Sequence, residues 1–568
     1  MDERVRDVTI VVGGEAGQGI QTIEFILTRV LKRSGYHVFA TKEYMSRIRG
    51  GSNSTLIRVG SQRVPANVDR IDLLVPLDSG ALTHLAGRIS KDTLIIGEKK
   101  ALKTEHNCVD IPFAAMAEEA GGKIYANTVA IGFLCGILEA DLAILENYLK
   151  EYFGRKGKEI VARNVQAAGT GYRAGGEMRS AGRVAFSIDR DPSVAGNLLV
   201  SGAEAVSLGA ISGGCRFISS YPMSPGTAIL TYLSRHSEKF GIVAEQAEDE
   251  IAAVNMAVGA SYAGARAMVT TSGGGFALME EGVSLAGITE TPLVIHLGQR
   301  PGPATGMATR TEQADLDLAL YAGHGEFPRI IYAPGRTEDA FVLTHRAFNM
   351  ADRYQVPVFV LTDQYFLDSY YSTSSLGDDA VFNEDHVIET DESYMRYRLT
   401  EDGISPRGVP GFGTGLVAVD SHEHTEEGHI TEEIGVRNAM MDKRMGKIRA
   451  ILADSVPPVL TGPEDYRVLV VGWGSNFHII AEAVQLLRKD DISCLHFSQV
   501  FPLPPDTAEL LDRAEVTVVV ENNFGGQFAR LLRAHTGFEA GHRILQYDGR
   551  PFCSELLARK ILKIARRN

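Results

Sequence analysis

Residues 216–227 read RFISSYPMSPGT. The first five have β character, with Phe217 and Ile218 as a short apolar run, which predicts a strand. Two prolines then stand three apart with Ser224 between them, and a glycine follows. Proline fixes φ and pushes the preceding residue out of the helical region, so 220–225 is a stiff turn rather than helix interior. A turn this rigid is either plain punctuation or a way to pin the Ser224 hydroxyl, with little freedom left to lose when a ligand binds.

The same strand-into-loop unit recurs in ARAMVTTSGGGFALM (265–279), TPLVIHLGQR (291–300), RIIYAP (329–334) and VPVFVLTDQYF (356–366). Apolar strands that empty into Gly-, Ser-, Thr- or Pro-rich loops indicate a parallel α/β sheet, and ligands sit where such loops leave the carboxyl ends. Working outward, strand-like and helix-like stretches alternate at both ends of the chain. The expected sections are an α/β domain at 1–185, a second at 186–370, an extended connection at 371–465 with one helix near 434–453, and a small α/β domain at 466–568. Residues 168–185, AGTGYRAGGEMRSAGRVA, read as a linker because they are rich in glycine and small residues.

A chain of 568 residues with 44% hydrophobic and 23% charged residues can bury several cores. No apolar run is long enough to span a bilayer, and the start MDERVRDVTIVV does not read as a signal peptide; the expectation is a cytoplasmic protein. The net charge of −14 argues against nucleic acid as a partner. Cysteines 108, 135, 215, 494 and 553 lie far apart with no CxxC. That predicts buried thiols, with no zinc knuckle and no self-contained iron–sulfur motif.

Several stretches carry candidate chemistry. GGEAGQG (13–19) follows a strand and opens a helix, so Gly17 and Gly19 could turn backbone N–H groups toward an anion; a tight strand–helix turn explains them equally. The spacing is not the dinucleotide fingerprint, nor is it a Walker loop. In SRIRGGSN (46–53), Arg47 and Arg49 could fork phosphates or simply be solvated. In AEQAEDEIAAVNMAVG (244–259), Glu245, Glu248 and Asp249 suit the first turn of a helix. Glu250 differs, because an apolar face of Ile251, Val254 and Val258 begins there; a carboxyl on the buried side gains a raised pKa, as acid–base work requires. The loop after Gln299 holds Arg300, Thr309 and Arg310, and Arg300 suits a substrate carboxylate. His422, His424 and His429 could bind metal, but the reading is a solvated acidic loop.

Taken together these blocks resemble the alpha subunit of a 2-oxoacid:ferredoxin oxidoreductase, of the 2-oxoglutarate type, with the gamma domain fused at the amino end. GGEAGQGIQT and RIRGGSN resemble the gamma domain; GAISGGCRFISSYPMSPGT, TTSGGGFALMEEG, GQRPGPATGMATRTEQADL, GHGEFPRI, DSHEHTEEGHITEE, MMDKRMGKI, ENNFGGQFARLL and YDGRPFCSELL resemble successive alpha-subunit blocks. Two departures stand out: the family's TSGPG is Thr271–Gly275 without the proline, and the threonine of its YPITPST loop is Ser224.

The resemblance implies a pyrimidine-type thiamine diphosphate domain at 186–370 and a transketolase C-terminal-like domain at 466–568. Glu250 matches the glutamate that hydrogen-bonds the coenzyme's pyrimidine nitrogen, with Tyr221, Pro222, Ser272, Gly273 and Gly274 as further cofactor contacts. Ser224, Arg300, Thr309 and Arg310 match substrate-contact positions. The gamma domain is a possible coenzyme A lid, with Gly17, Gly19, Arg47 and Arg49 as contacts. The resemblance places thiamine diphosphate with its magnesium, and a 4Fe–4S cluster, mainly on a separate beta subunit, in a heterotetramer of two alpha–beta pairs that reduces ferredoxin. No metal site is expected on this chain. Pyruvate or a branched 2-oxoacid, or a non-catalytic scaffold role, are the alternatives; a nicotinamide dehydrogenase is disfavoured by the glycine spacing.

Overall fold

The computed structural model describes residues 3–45, 50–104, 106, 108–184, 186–377 and 381–566. Two compact units emerge. One is Met1–Val200 with Asp368–Ser375, and the other is Ser201–Leu367 with Leu376–Asn568. The first unit thus runs past residue 185 and takes back a short strand, Tyr370–Thr373, from far along the chain.

The first unit is built on an eight-stranded sheet, in the order Cys108–Asp110, Leu94–Gly97, Leu73–Pro76, Asp7–Glu15, Ser52–Gly60, His37–Glu43, Tyr370–Thr373, Leu198–Ser201. Asp7–Glu15 is parallel to Leu73–Pro76 and antiparallel to Ser52–Gly60. His37–Glu43 is antiparallel to Ser52–Gly60 as well, because the connection 44–51 is too short for a crossover helix. Helix Ile20–Arg33 buries Ile20, Ile23, Ile26, Leu27, Val30 and Leu31 against this sheet. The three-and-four spacing of those residues makes one apolar stripe, and Lys32 and Arg33 complement its last turn.

The stretch expected to be a linker is instead the second half of helix Lys158–Ser180, packed on helix Ala126–Ile137. The glycines are there for contact rather than flexibility. A Cβ at Gly171 would stand 2.0 Å from the Val129 carbonyl oxygen, and one at Gly175 2.2 Å from that of Phe133. Across the seam, a Cβ at Gly132 would stand 2.1 Å from the Ala168 carbonyl oxygen. Each glycine costs helix propensity, about 0.5–1 kcal/mol, and close backbone packing offsets it.

The second unit holds two sheets. The larger has the order Val243–Gln246, Phe217–Ser220, Ala267–Thr271, Leu293–Gln299, Pro357–Asp363, Ile330–Tyr332, Gln499–Phe501, parallel throughout except for the last pair. The smaller has the order Val459–Thr461, Ile492–Phe497, Val468–Trp473, Val516–Glu521, His542–Leu545. One core joins them, with Val269, Ile295 and Phe359 of the first packed into a cluster with Val471, Trp473 and Val519 of the second.

Residues 381–433 lie between these sheets in sequence and form no helix or strand beyond isolated bridges such as Val387↔Arg407. A cluster of buried charges brings this segment, through Arg396, together with the helices that follow it. Glu290 receives Lys443 Nζ at 2.6 Å on one carboxylate oxygen and Lys447 Nζ on the other. Arg396 donates to the Glu290 carbonyl at 2.7 Å. The two lysines hold the Glu290 carboxyl well below the usual carboxylate range despite its burial, while burial pushes Lys443 down to about 8. The expected single helix near 434–453 is two, Ile434–Gly446 and Ile448–Ala453. His424 is buried rather than solvated, its ring 3.8 Å from that of Tyr397; His422 is exposed. All five cysteines are free, four of them buried.

Two substitutions test these packings. Gly171→Ala places a methyl group against backbone that cannot yield, so thermal melting should show the first unit destabilised by about 1–3 kcal/mol. Glu290→Gln leaves two buried lysines uncompensated and should cost the second unit about 3 kcal/mol or more. The Glu290 carboxyl titrates below its unfolded value. Its contribution is therefore full above about pH 4.3 and fades as pH falls below that, so chemical denaturation of the two proteins should converge in acid.

Candidate active site

Strands Phe217–Ser220, Val243–Gln246, Ala267–Thr271 and Leu293–Gln299 end together: Ser220 pairs with Gln246 and Thr271 with Leu297. Their carboxyl-end loops, 221–226, 247–249, 272 and 300–315, therefore gather at one edge of the sheet.

Hydroxyl groups fix the first of these loops. Ser219 donates to the Ala253 carbonyl at 2.6 Å, and Ser220 to the Thr270 carbonyl at 2.6 Å. Thr270 donates to the Gly226 carbonyl at 3.2 Å and meets His296 Nδ1 at 2.8 Å. With its proton on Gly226, Thr270 accepts from Nδ1–H, which leaves Nε2 to accept from Thr362 at 2.8 Å. Burial pushes His296 down to about 3, so the ring is neutral. The proline turn packs tightly as well: a Cβ at Gly298 would come 2.8 Å from Pro225 Cγ. Tyr221, Pro222 and Ser224 are exposed. The Ser224 carbonyl accepts from Arg300 Nη1 at 2.7 Å.

Glu250 opens helix Glu250–Tyr262, which Asp249 caps by accepting from the Ala252 N–H at 2.7 Å. Glu245, expected in a first helical turn, lies instead on strand Val243–Gln246. The buried face of the helix is Glu250, Ala253, Val254, Ala257, Val258 and Ser261; Ile251, expected on it, is 51% exposed. At one residue past Glu250, Ile251 is turned by about 100° around the helix. Glu250 itself is 3% exposed, and its Oε1 has no hydrogen-bond partner among the described residues. Burial raises its carboxyl above the usual range, and Asp249 adds to this, while the Glu250 backbone N–H and the Arg300 charge oppose it.

Ser272 caps helix Gly273–Ile288 by position, yet its side chain makes no cap hydrogen bond and its buried Oγ has no partner among the described residues. Gly275 is needed for room, because a Cβ there would stand 2.3 Å from both Glu250 Oε1 and Thr271 Oγ1. Gly274 is exposed, and a Cβ on it would meet only the Ala304 carbonyl oxygen, at 3.4 Å.

Arg300 is 8% exposed, and burial lowers its pKa against the pull of Asp315 and Glu250. Thr309 and Arg310 lie half-buried further along the same loop. Gln313 anchors that loop: its N–H donates to the Asn522 carbonyl at 2.7 Å, its Nε2 to the Trp473 carbonyl at 2.9 Å, and its Oε1 accepts from Asn476 at 2.8 Å. Sequence reasoning passed over Gln313 and Asp315. Both lie in the quoted stretch TEQAD, but neither stands out from ordinary polar residues in a turn-rich loop.

Gly17 and Gly19 sit in the first unit at φ +95° and +83°, which explains them as glycines. Asp78 shares that turn, accepting from the Glu15 N–H at 2.8 Å. Arg47 and Arg49 lie outside the described residues. Among the described residues no group of three or more His, Cys, Asp or Glu could hold a metal ion, and no helix is long and apolar enough to cross a membrane.

The family profile described as "Pyruvate flavodoxin/ferredoxin oxidoreductase, thiamine diP-bdg" matches residues 208–443, and that described as "Pyruvate ferredoxin/flavodoxin oxidoreductase" matches residues 9–174. The 2-oxoacid:ferredoxin oxidoreductase subunit alpha of Sulfolobus sp is 30% identical, over 98% of this chain and 96% of its own. The 2-oxoglutarate synthase subunit KorA of Archaeoglobus fulgidus is 34% identical, over 58% of this chain and 88% of its own. A solved structure, the 2-oxoglutarate:ferredoxin oxidoreductase from Magnetococcus marinus with 2-oxoglutarate, coenzyme A and succinyl-CoA bound, matches with a TM-score of 0.92 at 29% identity, over 99% of this chain and 100% of that one. The thiamine diphosphate profile spans the very loops that gather around Glu250. With relatives matched end to end as well, the chain belongs to the alpha subunits of the 2-oxoacid:ferredoxin oxidoreductases.

Proposed function

We propose that this chain, with a beta subunit, oxidatively decarboxylates 2-oxoglutarate to succinyl-CoA and passes the electrons to ferredoxin. One observation carries the reading: the Glu250 carboxyl is shut away from water with Oε1 unpartnered among the described residues, in room that only glycine at 275 leaves for it. A buried carboxyl oxygen without a hydrogen bond is costly and needs a reason. A polar ring nitrogen brought by a ligand supplies one. The orphaned Ser272 hydroxyl and the bare backbone of 273–275 fit the same planar group.

The aminopyrimidine of thiamine diphosphate meets that description. When bound, the coenzyme supplies the nucleophilic carbon that adds to the 2-oxo group and lets carbon dioxide leave. The role of this chain is to hold and orient it. Glu250 holds a proton at the pyrimidine nitrogen, which its raised pKa favours. Tyr221, Pro222, Ser272, Gly273 and Gly274 line the ring. Arg300 receives the substrate carboxylate, oriented by the Ser224 carbonyl, with Ser224, Thr309 and Arg310 as further contacts. The diphosphate with its magnesium and the 4Fe–4S cluster belong to the beta subunit, in a heterotetramer of two alpha–beta pairs working in the cytoplasm. The first unit contributes coenzyme A contacts through the loop at Gly17 and Gly19 and through Arg47 and Arg49.

The preference for 2-oxoglutarate draws support from relatives named for that substrate and from the cations of the 300–310 loop. Assays of the purified complex should show ferredoxin reduction with 2-oxoglutarate and coenzyme A well above that with pyruvate; the reverse order overturns the substrate. Glu250→Gln should lower turnover by roughly two orders of magnitude or more with unchanged melting. Gly275→Ala, whose methyl group displaces the same carboxyl, should lower turnover in the same direction. Full turnover in Glu250→Gln would leave the chain a scaffold.

A further inference from the structure

Asp315 is a second carboxyl group in this site that the reading above leaves without a task. It ends the loop that begins at Arg300, and its N–H donates to Gln299 Oε1 at 3.1 Å. Its side chain lies against the first turn of helix Gly273–Ile288, where a Cβ at Gly273 would come within 2.3 Å of Oδ1 and 2.5 Å of Oδ2. The residue as a whole is half-buried, but Oδ2 is closed to solvent and has no hydrogen-bond partner among the described residues.

The charged groups around it are few. Arg300, at the end of strand Leu293–Gln299, acts on it through space, and Glu312 faces it from its own loop. Glu250 acts on Arg300 from the start of its helix, and Asp548 acts on Glu312. The nearby helix end favours an anion, but among the described residues no N–H of that helix makes a hydrogen bond to Asp315 Oδ2. Burial is the largest influence and Glu312 the next, together pushing the group up to about 7 against the Arg300 charge.

Arg300 therefore lies within electrostatic reach of both Glu250 and Asp315, and among the described residues it forms a close ion pair with neither. A substrate carboxylate arriving at Arg300 meets repulsion from Asp315 whenever Asp315 is ionised. We propose that Asp315 takes up one proton from solvent when the substrate carboxylate docks at Arg300, so that anion binding is linked to pH. An O–H bond forms on Asp315, and no bond of the substrate changes. The neutral acid also gains a donor where an orphaned acceptor stood. This inference rests on the reading of Arg300 as the substrate's cation.

The test uses the assembled complex and glutarate, which carries the charges of 2-oxoglutarate but has no oxo group to react. Calorimetric titration in two buffers of different ionisation heat counts the protons taken up. The wild-type complex should take up close to one proton per glutarate above neutral pH, with affinity falling up to about tenfold per pH unit there. Asp315→Asn should take up none, bind with flat pH dependence, and bind more tightly than wild type in mild alkali. Asp315→Ala serves as a second uncharged variant if the amide fails to fold. Binding without proton uptake by wild type, or an unchanged pH dependence in both variants, overturns the proposal. Turnover of a 2-oxoacid, measured on the same preparation, separates the two ideas. Turnover without proton uptake sinks only the role of Asp315, whereas a complex that binds and converts neither 2-oxoglutarate nor pyruvate sinks the Arg300 reading and this one with it.

Discussion

A carboxyl group held out of water with one oxygen lacking a hydrogen-bond partner among the described residues, that of Glu250, is the constraint around which the second unit is arranged. Leaving such a group unpaired costs on the order of 1–3 kcal/mol, and the fold bears that cost by locking the side chain from several directions. Asp249 fixes the start of the helix. Ala253, Val254 and Ala257 bury its inner face. Gly275 leaves only enough room for the carboxyl to stay where it is. Ser272 and Asp315 carry orphaned oxygens at the neighbouring helix start, so three buried oxygens without partners among the described residues meet in one place.

Rigidity around that place comes from neutral groups. The Thr270–His296–Thr362 chain crosses three strands of the sheet with a ring kept uncharged by burial. It ties the central strands to the Gly226 end of the proline turn without bringing a second charge near Glu250. Gln313 does comparable work for the longer loop, exchanging hydrogen bonds with residues around Trp473 and Asn522. Charge is used further away, where Arg396 donates to the Glu290 carbonyl and Arg407 pairs with Asp352, pinning a segment that has almost no backbone ladder of its own. Irregular chain must satisfy its polar groups by some route, and buried side-chain pairs replace what helices and strands would have provided.

The glycines show why composition alone misleads. Gly17 and Gly19 are glycines because of backbone angle, Gly171 and Gly175 because another helix backbone touches them, and Gly273 and Gly275 because carboxyl groups do. All three uses look the same in a sequence. A glycine-rich stretch such as 168–180 therefore reads as a linker, although a tight helix pair needs the same residues.

The sequence by itself determined the strand-into-loop rhythm, the place of the rigid turn at 221–226 and the singular position of Glu250, because periodicity, proline and burial pattern are local signals. It also carried enough likeness to identify the family. Tertiary structure alone decided that Ser224 engages Arg300 through its carbonyl, that Asp315 joins the site, that Gln313 anchors a loop and that His424 is core. Each of those depends on a partner dozens to hundreds of residues away. No local pattern encodes such a contact, since its energy exists only once the strand ends have been brought side by side.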